Sequence, residues 1–177
     1  MPTVIQVARL KERIRDVADF PKKGIMFKDI TTLIKDADSL KLTAELLVEE
    51  SRKFNPDVVV GIESRGFIFA PIIASRLGVG FVPIRKKGKL PHKTVSVTYQ
   101  LEYGKDTLEI HRDAVSKGDR VLVIDDVLAT GGTSHSVAKL IEKLGGVVEG
   151  FGFVIELAFL KGRSKLKKYP VFSLIQY

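Results

Sequence analysis

The stretch that decides the fold is VLVIDDVLATGGTS, which runs from Val121 to Ser134. It begins as a continuous apolar strand, continues through Asp125 and Asp126, and passes by a glycine-rich turn into the start of a helix. Ligands of open α/β sheets bind at the carboxyl ends of the strands. The stretch therefore predicts a buried strand that carries two carboxylates and a tight turn to a ligand-binding edge.

The turn itself predicts a phosphate site. Free N–H groups and the helix dipole at a helix N-terminus favour an anion, and glycines let the backbone approach it closely. The residues that would surround the phosphate are Ala129, Thr130, Gly131, Gly132 and Thr133. No Gly-Lys-Ser/Thr follows and G-x-G-x-x-G is absent, so this is neither a Walker A loop nor a dinucleotide fingerprint.

The acid pair narrows the choice of ligand. Carboxylates accept hydrogen bonds from ribose hydroxyls, or they hold the waters of a Mg²⁺ ion. Asp125 and Asp126, placed just before a phosphate-binding turn, therefore suit a ribose 5′-phosphate. The alternative is that two acids and two glycines merely end a strand, but the whole string from 121 to 134 argues against it.

Apolar strands and amphipathic helices alternate through the rest of the chain, which predicts an α/β fold with a mainly parallel central sheet flanked by helices. Ser39 is a plausible N-cap, and Pro71 is tolerable only in the first turn of its helix. We expect helices at 3–18, 39–54, 67–77 and 134–144, strands at 57–62, 79–84, 120–125, 150–157 and 171–177, and a hairpin from 94–101 and 107–111.

Composition limits the class of protein. The 177 residues fit one domain, and 29 basic against 21 acidic side chains give a net charge of +8, which suits an anionic partner. No basic stripe interleaved with aromatics and no apolar run of about 18 residues is present, so we expect neither nucleic acid nor membrane as partner. The lack of cysteine excludes thiolate chemistry and fits a cytoplasmic protein.

Six segments together resemble a known family. The 121–134 string resembles the signature with which type I phosphoribosyltransferases bind phosphoribosyl pyrophosphate (PRPP). Five more segments resemble the adenine-specific members, in order along nearly the whole chain: FPKKGIMFKDIT (20–31), GIESRGF (61–67), RKKGKLP (85–91), LEYGKDTLEIH (101–111) and ELAFLKGR (156–163). Lys23 replaces a proline common among relatives, and Lys28 stands where some carry arginine, which leaves the assignment intact.

The resemblance implies a fold and a reaction. It implies a single type I phosphoribosyltransferase domain over 1–177, with a flexible lid at about 85–111. A small base-binding hood would come from about 1–35 and the C-terminal segment. The implied reaction converts adenine and PRPP to AMP and pyrophosphate, with Mg²⁺, as a step of purine salvage. A homodimer is expected.

The resemblance also implies roles for individual residues. Glu102 would be the catalytic carboxylate, which assists proton movement on the purine or stabilises positive charge on the ribose. Asp125 and Asp126 would bind the ribose and lie near a metal held mainly by substrate and water. The adenine contacts would be Met26, Phe27, Lys28 and Leu157, and the pyrophosphate contacts Ser64, Arg65, Arg85, Lys86, Lys89 and Tyr103. The loop at Ser64 can hold a non-proline cis peptide in this family.

Three alternatives remain open on the sequence alone. The nearest is a phosphoribosyltransferase for hypoxanthine, guanine or xanthine, because only the 20–31 segment and Leu157 favour adenine. A ligand-sensing regulator without catalysis is a second alternative, although the chain has no spare length for a DNA-binding domain. A basic nucleic-acid-binding module is the third, which salt-dependent binding to random DNA would reveal.

Overall fold

The computed structural model describes residues 2–101 and 104–177, and its contacts separate two compact units, Met1–Leu46 and Leu47–Tyr177. The expectation of a single domain therefore stays a prediction. The first unit holds helix α1 (Val4–Lys11), strands β1 (Arg15–Ala18) and β2 (Met26–Asp29), helix α2 (Thr31–Lys35) and the start of helix α3 (Ala37–Arg52).

The predicted helix over 3–18 is correct as far as Lys11 and wrong for the residues that follow. A capping box at Thr3 starts α1, but the helix ends at Lys11. The amides of Arg13 and Ile14 then donate to the carbonyls three residues earlier, which forms a turn. Residues 15–18 continue as β1, which pairs antiparallel with β2. The apolar spacing of this segment fits a helix, but the cross-strand pairing determines the structure of its second half.

Helix α3 begins at Ala37, two residues before the predicted start. The carboxylate of Asp36 accepts hydrogen bonds from the amide of Ser39 at 2.9 Å and from its hydroxyl at 2.6 Å. Asp36 is therefore the cap, and Ser39 is a buried residue inside the helix rather than its N-cap. The helix ends at Arg52, so Phe54 lies beyond it.

The second unit is built on a seven-stranded sheet in the order β5-β6-β4-β3-β7-β8-β9. Strands β3, β4, β7, β8 and β9 are parallel, and the β5–β6 hairpin joins antiparallel to the end of β4. The elements are β3 (Val58–Ile62), helix α4 (Gly66–Leu77), β4 (Gly80–Lys86), β5 (Thr94–Leu101), β6 (Gly104–His111), β7 (Arg120–Leu128), helix α5 (Gly132–Leu144), β8 (Val147–Glu156) and β9 (Val171–Gln176), with 3₁₀ turns at Ala158–Leu160 and Gly162–Leu166. The predicted fold class is confirmed.

Helices cover both faces of this sheet. The side chains of Val60 and Ile62 belong to the core that includes Val137 and Ile141 of α5. On the other face α4 approaches β3 so closely that a Cβ on Gly61 would lie 2.8 Å from the Cβ of Ala70. A strand that is covered on both sides must be apolar throughout, which is why β3 reads as an uninterrupted run.

Pro71 departs from the prediction in a small way. Helix α4 begins at Gly66, so the proline lies past the first turn rather than within it. A proline there removes one backbone hydrogen bond, yet α4 continues to Leu77 and ends at the left-handed Gly78.

No helix among residues 2–101 and 104–177 is both long and apolar enough to cross a membrane.

Candidate active site

Two loops leave the same edge of the sheet next to each other. Strands β3 and β7 are parallel neighbours with Gly61 opposite Ile124, so the segment after β3 and the acid pair near the end of β7 meet. A Cβ on Gly66 would lie 2.8 Å from the carbonyl oxygen of Ile124 and 3.1 Å from Oδ1 of Asp125. The glycine of the ESRG segment thus permits the close approach that places Arg65 beside the acid pair.

Arg65 and the two aspartates form a charged cluster. Nε of Arg65 lies 2.7 Å from Oδ2 of Asp126, and the Asp126 amide donates to Oδ1 of Asp125 at 2.9 Å. Asp126 is only 4% exposed to solvent, whereas Asp125 is partly exposed. The contact with Arg65 is an ion pair without hydrogen-bond alignment, because Oδ2 of Asp126 has no aligned donor among the described residues.

Burial makes the two carboxylates poor at holding negative charge. Burial, and then the neighbouring charge of Asp126, raise the pKa of Asp125 well above its usual value. Burial also raises the pKa of Asp126, although the Arg65 guanidinium opposes that rise. Ligand groups that donate hydrogen bonds, such as vicinal hydroxyls, would relieve this cost of burying charge.

The turn after β7 has the geometry of an anion-binding loop. Gly131 has φ +75° and precedes α5, and because its N-cap residue is glycine the helix has no side-chain cap from that position. The first-turn amides of α5 are therefore left without an acceptor from the N-cap side chain, as a bound phosphate requires. A Cβ on Gly131 would lie 2.4 Å from the carbonyl oxygen of Gly162, so the backbone of the turn packs against the 3₁₀ segment.

The structure places the predicted pyrophosphate residues in different surroundings. Ser64 is exposed, and the peptide bond between Glu63 and Ser64 is cis, as the resemblance implies. Arg85 donates from Nε and Nη2 to the carboxylate of Glu63 at 3.2 and 3.3 Å. Nζ of Lys86 lies 3.3 Å from Oδ2 of Asp106, and Lys89 is exposed. Their contact with pyrophosphate stays a prediction.

Three of the four predicted adenine contacts, Met26, Phe27 and Lys28, lie on β2 in the first unit. Phe27 makes an edge-to-face contact with Phe20 at 5.1 Å between ring centroids, and Met26 is half exposed. Nζ of Lys28 donates to Asp16 at 2.6 Å. That side chain is engaged locally, and the contact of Lys28 with a base stays a prediction.

Three predicted site residues remain: the structure describes Leu157 but not Glu102 or Tyr103. In the second unit Leu157 is partly buried, and its amide donates to the carbonyl of Leu128 at 2.9 Å. Glu102 and Tyr103 lie outside the described residues, so their roles stay predictions. The structure also adds Glu63, whose carboxylate accepts from the Lys86 amide at 2.9 Å as well as from Arg85. Its place beside Ser64 in GIESRGF was the only sequence signal for it.

The acid pair also determines how a metal ion could be held. The described part of the chain contains no group of three or more His, Asp or Glu side chains that could hold a metal ion. Asp125 and Asp126 are two carboxylates, and no third metal-binding side chain joins them among residues 2–101 and 104–177. This set suits contact with a metal's water ligands more than a cage made by the protein.

A carboxylate pair beside a glycine-rich helix N-terminus at one sheet edge is typical of proteins that bind a phosphorylated ligand. The phosphoribosyl transferase domain family matches residues 31–174, and the chain belongs to that family.

Named relatives narrow the class further. A protein of Clostridium perfringens (strain SM101 / Type A) is 59% identical over 95% of this chain and 98% of its own, and it is named adenine phosphoribosyltransferase. The crystal structure of adenine phosphoribosyltransferase from Thermoanaerobacter pseudethanolicus has a TM-score of 0.94 at 51% identity, covering 97% of this chain and 99% of that one. The enzyme from Saccharomyces cerevisiae, complexed with adenine and an imino-altritol bisphosphate, has a TM-score of 0.91 at 39% identity, covering 97% and 99% of the two chains.

Proposed function

We propose that this chain is an adenine phosphoribosyltransferase, which converts adenine and PRPP to AMP and pyrophosphate in purine salvage. Its membership of the family and the names of its relatives support the reaction. The observation that carries the assignment within the molecule is the uncapped α5 behind Gly131, directly after the Asp125–Asp126 pair. That arrangement suits a ribose with a 5′-phosphate better than a free base or a nucleic acid.

The reaction exchanges one bond at the anomeric carbon for another. The bond from that carbon to pyrophosphate oxygen breaks with its electron pair, and an imidazole nitrogen of adenine forms the new bond and loses its proton. Positive charge develops on the ribose between the two events. The protein must therefore hold both reactants in line, neutralise the departing pyrophosphate and exclude water.

The chain's own residues divide this work. Residues 129–133 would hold the 5′-phosphate through backbone amides and threonine hydroxyls. Asp125 and Asp126 would accept hydrogen bonds from the ribose hydroxyls, which would offset the burial that raises their pKa values and favour their charged forms beside the cationic transition state. Arg65, already beside Asp126, would contact the pyrophosphate side, with Ser64, Arg85, Lys86, Lys89 and Tyr103 as the further predicted contacts.

The predicted adenine contacts and the predicted role of Glu102 are based on the family resemblance. Met26, Phe27, Lys28 and Leu157 remain the predicted adenine contacts. Glu102 remains the predicted catalytic carboxylate, which would accept the imidazole proton or stabilise charge on the ribose. We expect Glu102→Gln to reduce turnover by about 10²-fold or more, in the range of general-base catalysis.

Magnesium is the proposed cofactor. Asp125 and Asp126 would hold it through water, and when bound it would neutralise charge on the pyrophosphate. We expect removal of divalent ions with EDTA to abolish turnover and added Mg²⁺ to restore it. Full activity in EDTA would contradict this part of the proposal.

The oligomeric state is proposed from the family resemblance, and the cellular location from the composition of the chain. We expect a homodimer, which sedimentation equilibrium would detect as twice the chain mass of 19.6 kDa. A cytoplasmic location fits a cysteine-free chain that consumes a phosphorylated metabolite.

The deciding experiment mixes the protein with PRPP, Mg²⁺ and one purine at a time and resolves nucleotide products by chromatography. We expect AMP from adenine and no product from hypoxanthine, guanine or xanthine. A site that hydrogen-bonds a 6-amino group can reject a 6-oxo purine by about 10⁴-fold. A nucleotide from a 6-oxo purine would overturn the choice of base, and PRPP binding without any product would favour the regulator.

A further inference from the structure

A buried carboxylate outside the proposed substrate contacts ends strand β8. Glu156 is 5% exposed, and Arg163 donates to both of its oxygens, from Nε and from Nη2, at 2.7 Å each. Ser173 donates to the same carboxylate at 2.7 Å and Gln176 at 3.3 Å. Burial alone would raise the pKa of Glu156, but the hydrogen bonds from Arg163 and Ser173 outweigh it and lower the pKa. This carboxylate is therefore a fixed, charged anchor.

The ion pair closes a short loop of chain. Arg163 also donates to the carbonyl of Val171 at 2.8 Å, so β8, β9 and the 3₁₀ segment are joined at one point. Within the loop, the Ala158 amide donates to the carbonyl of Tyr177 at 2.9 Å. The position of residues 157–163 is thus fixed at both ends by hydrogen bonds to the sheet.

The residue next to Arg163 touches the predicted phosphate-binding turn. Gly162 is buried, and a Cβ on it would lie 2.2 Å from the carbonyl oxygen of Ala129 and 3.0 Å from Cδ1 of Leu128. In return, a Cβ on Gly131 would lie 2.4 Å from the carbonyl oxygen of Gly162. The two backbones are in direct contact, with no side chain between them.

We infer that the Glu156–Arg163 pair positions the turn at 129–131 by holding Gly162 against it. Neither side chain needs to touch substrate; both are positioning residues for the 5′-phosphate site. A two-pronged arginine–carboxylate contact suits this purpose because its planar geometry fixes orientation as well as distance. The inference rests on the proposed binding of PRPP by residues 129–133.

The test uses two matched pairs of variants. Arg163→Gln breaks the Glu156 pair, and Arg120→Gln breaks a similar two-pronged pair with Asp57, whose contacts are 2.6 and 3.0 Å at the start of β7. Gly162→Ala inserts a methyl group against Ala129. Gly80→Ala inserts one where the nearest atom, Cγ2 of Val58, is 3.8 Å away.

Binding of ribose 5-phosphate is measured by calorimetry, with KM for PRPP and the thermal unfolding midpoint on the same samples. We expect Arg163→Gln and Gly162→Ala to weaken binding and raise KM for PRPP about tenfold or more. Arg120→Gln and Gly80→Ala should keep both values near wild type. Equal loss of thermal stability in Arg163→Gln and Arg120→Gln with unchanged ribose 5-phosphate binding in both would overturn the inference.

A second variant and the wild-type control separate failure of this inference from misfolding and from failure of the proposed function. If Arg163→Gln does not fold, Arg163→Lys, which keeps the charge but not the two-pronged contact, takes its place and should show the same rise in KM. If the wild-type chain itself binds neither ribose 5-phosphate nor PRPP, the proposed function fails rather than this inference. Wild-type binding with unaffected 163 and 162 variants contradicts the inference alone.

Discussion

Gly131 combines two demands at one residue. Its φ of +75° lies in the left-handed region, and its Cα faces the carbonyl oxygen of Gly162, where a Cβ would lie at 2.4 Å. Gly78 has a similar φ of +73°, but a Cβ there would have no atom within 4 Å, so it shares the first demand and not the second. Comparing alanine at Gly131 and at Gly78 therefore separates the effect of backbone strain from that of displacing the proposed phosphate-binding turn.

We therefore predict different effects of alanine at these two glycines. Gly78→Ala should destabilise the fold by about 1–2 kcal/mol, the cost of a left-handed non-glycine residue, and Gly131→Ala by at least as much because its Cβ also meets the Gly162 carbonyl. Only Gly131→Ala should also weaken ribose 5-phosphate binding, by about tenfold or more, because the turn must move. Urea unfolding and calorimetry on both variants measure the two effects. Unchanged ribose 5-phosphate binding by Gly131→Ala would refute the role of this turn.

Asp29 predicts a pH dependence of stability. Hydrogen bonding by Arg15, with help from the Thr31 amide, lowers the pKa of Asp29 to about 2. An unfolded aspartate titrates near pKa ~3.9. Because the folded-state pKa is the lower one, the stabilisation is complete above about pH 4 and is lost as the pH falls through about 2.

We accordingly expect Asp29→Asn to lower the free energy of unfolding at pH 6. The gap between wild type and variant should narrow between pH 4 and pH 2. Urea denaturation at one-unit steps of pH measures it. A gap that stays constant from pH 6 down to pH 2 would argue that the carboxylate charge of Asp29 contributes nothing.

Among the elements, helix α3 is capped by a residue other than the predicted Ser39. Asp36 accepts from both the amide and the hydroxyl of Ser39, whereas Asp38 in the first turn is largely exposed and 3.6 Å from Arg9. We predict that Asp36→Ala lowers the thermal unfolding midpoint by a few degrees, since it removes the cap. Asp38→Ala should have a smaller effect. Equal midpoints for the two variants would contradict this assignment of the cap.

The parallel strands could be predicted because their burial on both faces leaves a continuous apolar run. The hairpin of β5 and β6 could also be predicted, because apolar and polar side chains alternate along strands that have only one face covered. The β1–β2 hairpin could not be read from periodicity, because Val7, Leu10, Ile14 and Val17 also fit one helix face. The antiparallel pairing with residues 26–29, which the apolar spacing does not reveal, makes residues 15–18 a strand.

The site was predictable where its chemistry lies in one contiguous string. The acid pair and the proposed phosphate-binding turn share residues 121–134, so the strand, the carboxylates and the helix start could be predicted together, while their ligand contacts stay predictions. The partners of Glu63 and Glu156 were not predictable, because Arg85 follows Glu63 after a helix and a strand, and Ser173 follows Glu156 after the 3₁₀ segment. Such contacts depend on how neighbouring strands end, which spacing alone does not specify.

At the scale of the whole molecule, charge and site point to the same kind of ligand. The chain carries a net charge of +8, yet Arg85, Arg120 and Arg163 are each paired with a carboxylate. Excess positive charge raises the local concentration of small anions and speeds their encounter. The proposed substrate, which carries a phosphate and a pyrophosphate group, would gain from this field in its encounter with the protein.

The most direct test of the proposed phosphate site is a crystal structure of the chain with AMP. We predict the 5′-phosphate on the backbone amides of residues 131–133 at the start of α5, with the ribose hydroxyls donating to Asp125 and Asp126. A phosphate bound instead on the basic segments at 85–93 or 161–168, with the turn at 129–133 empty, would contradict the central claim.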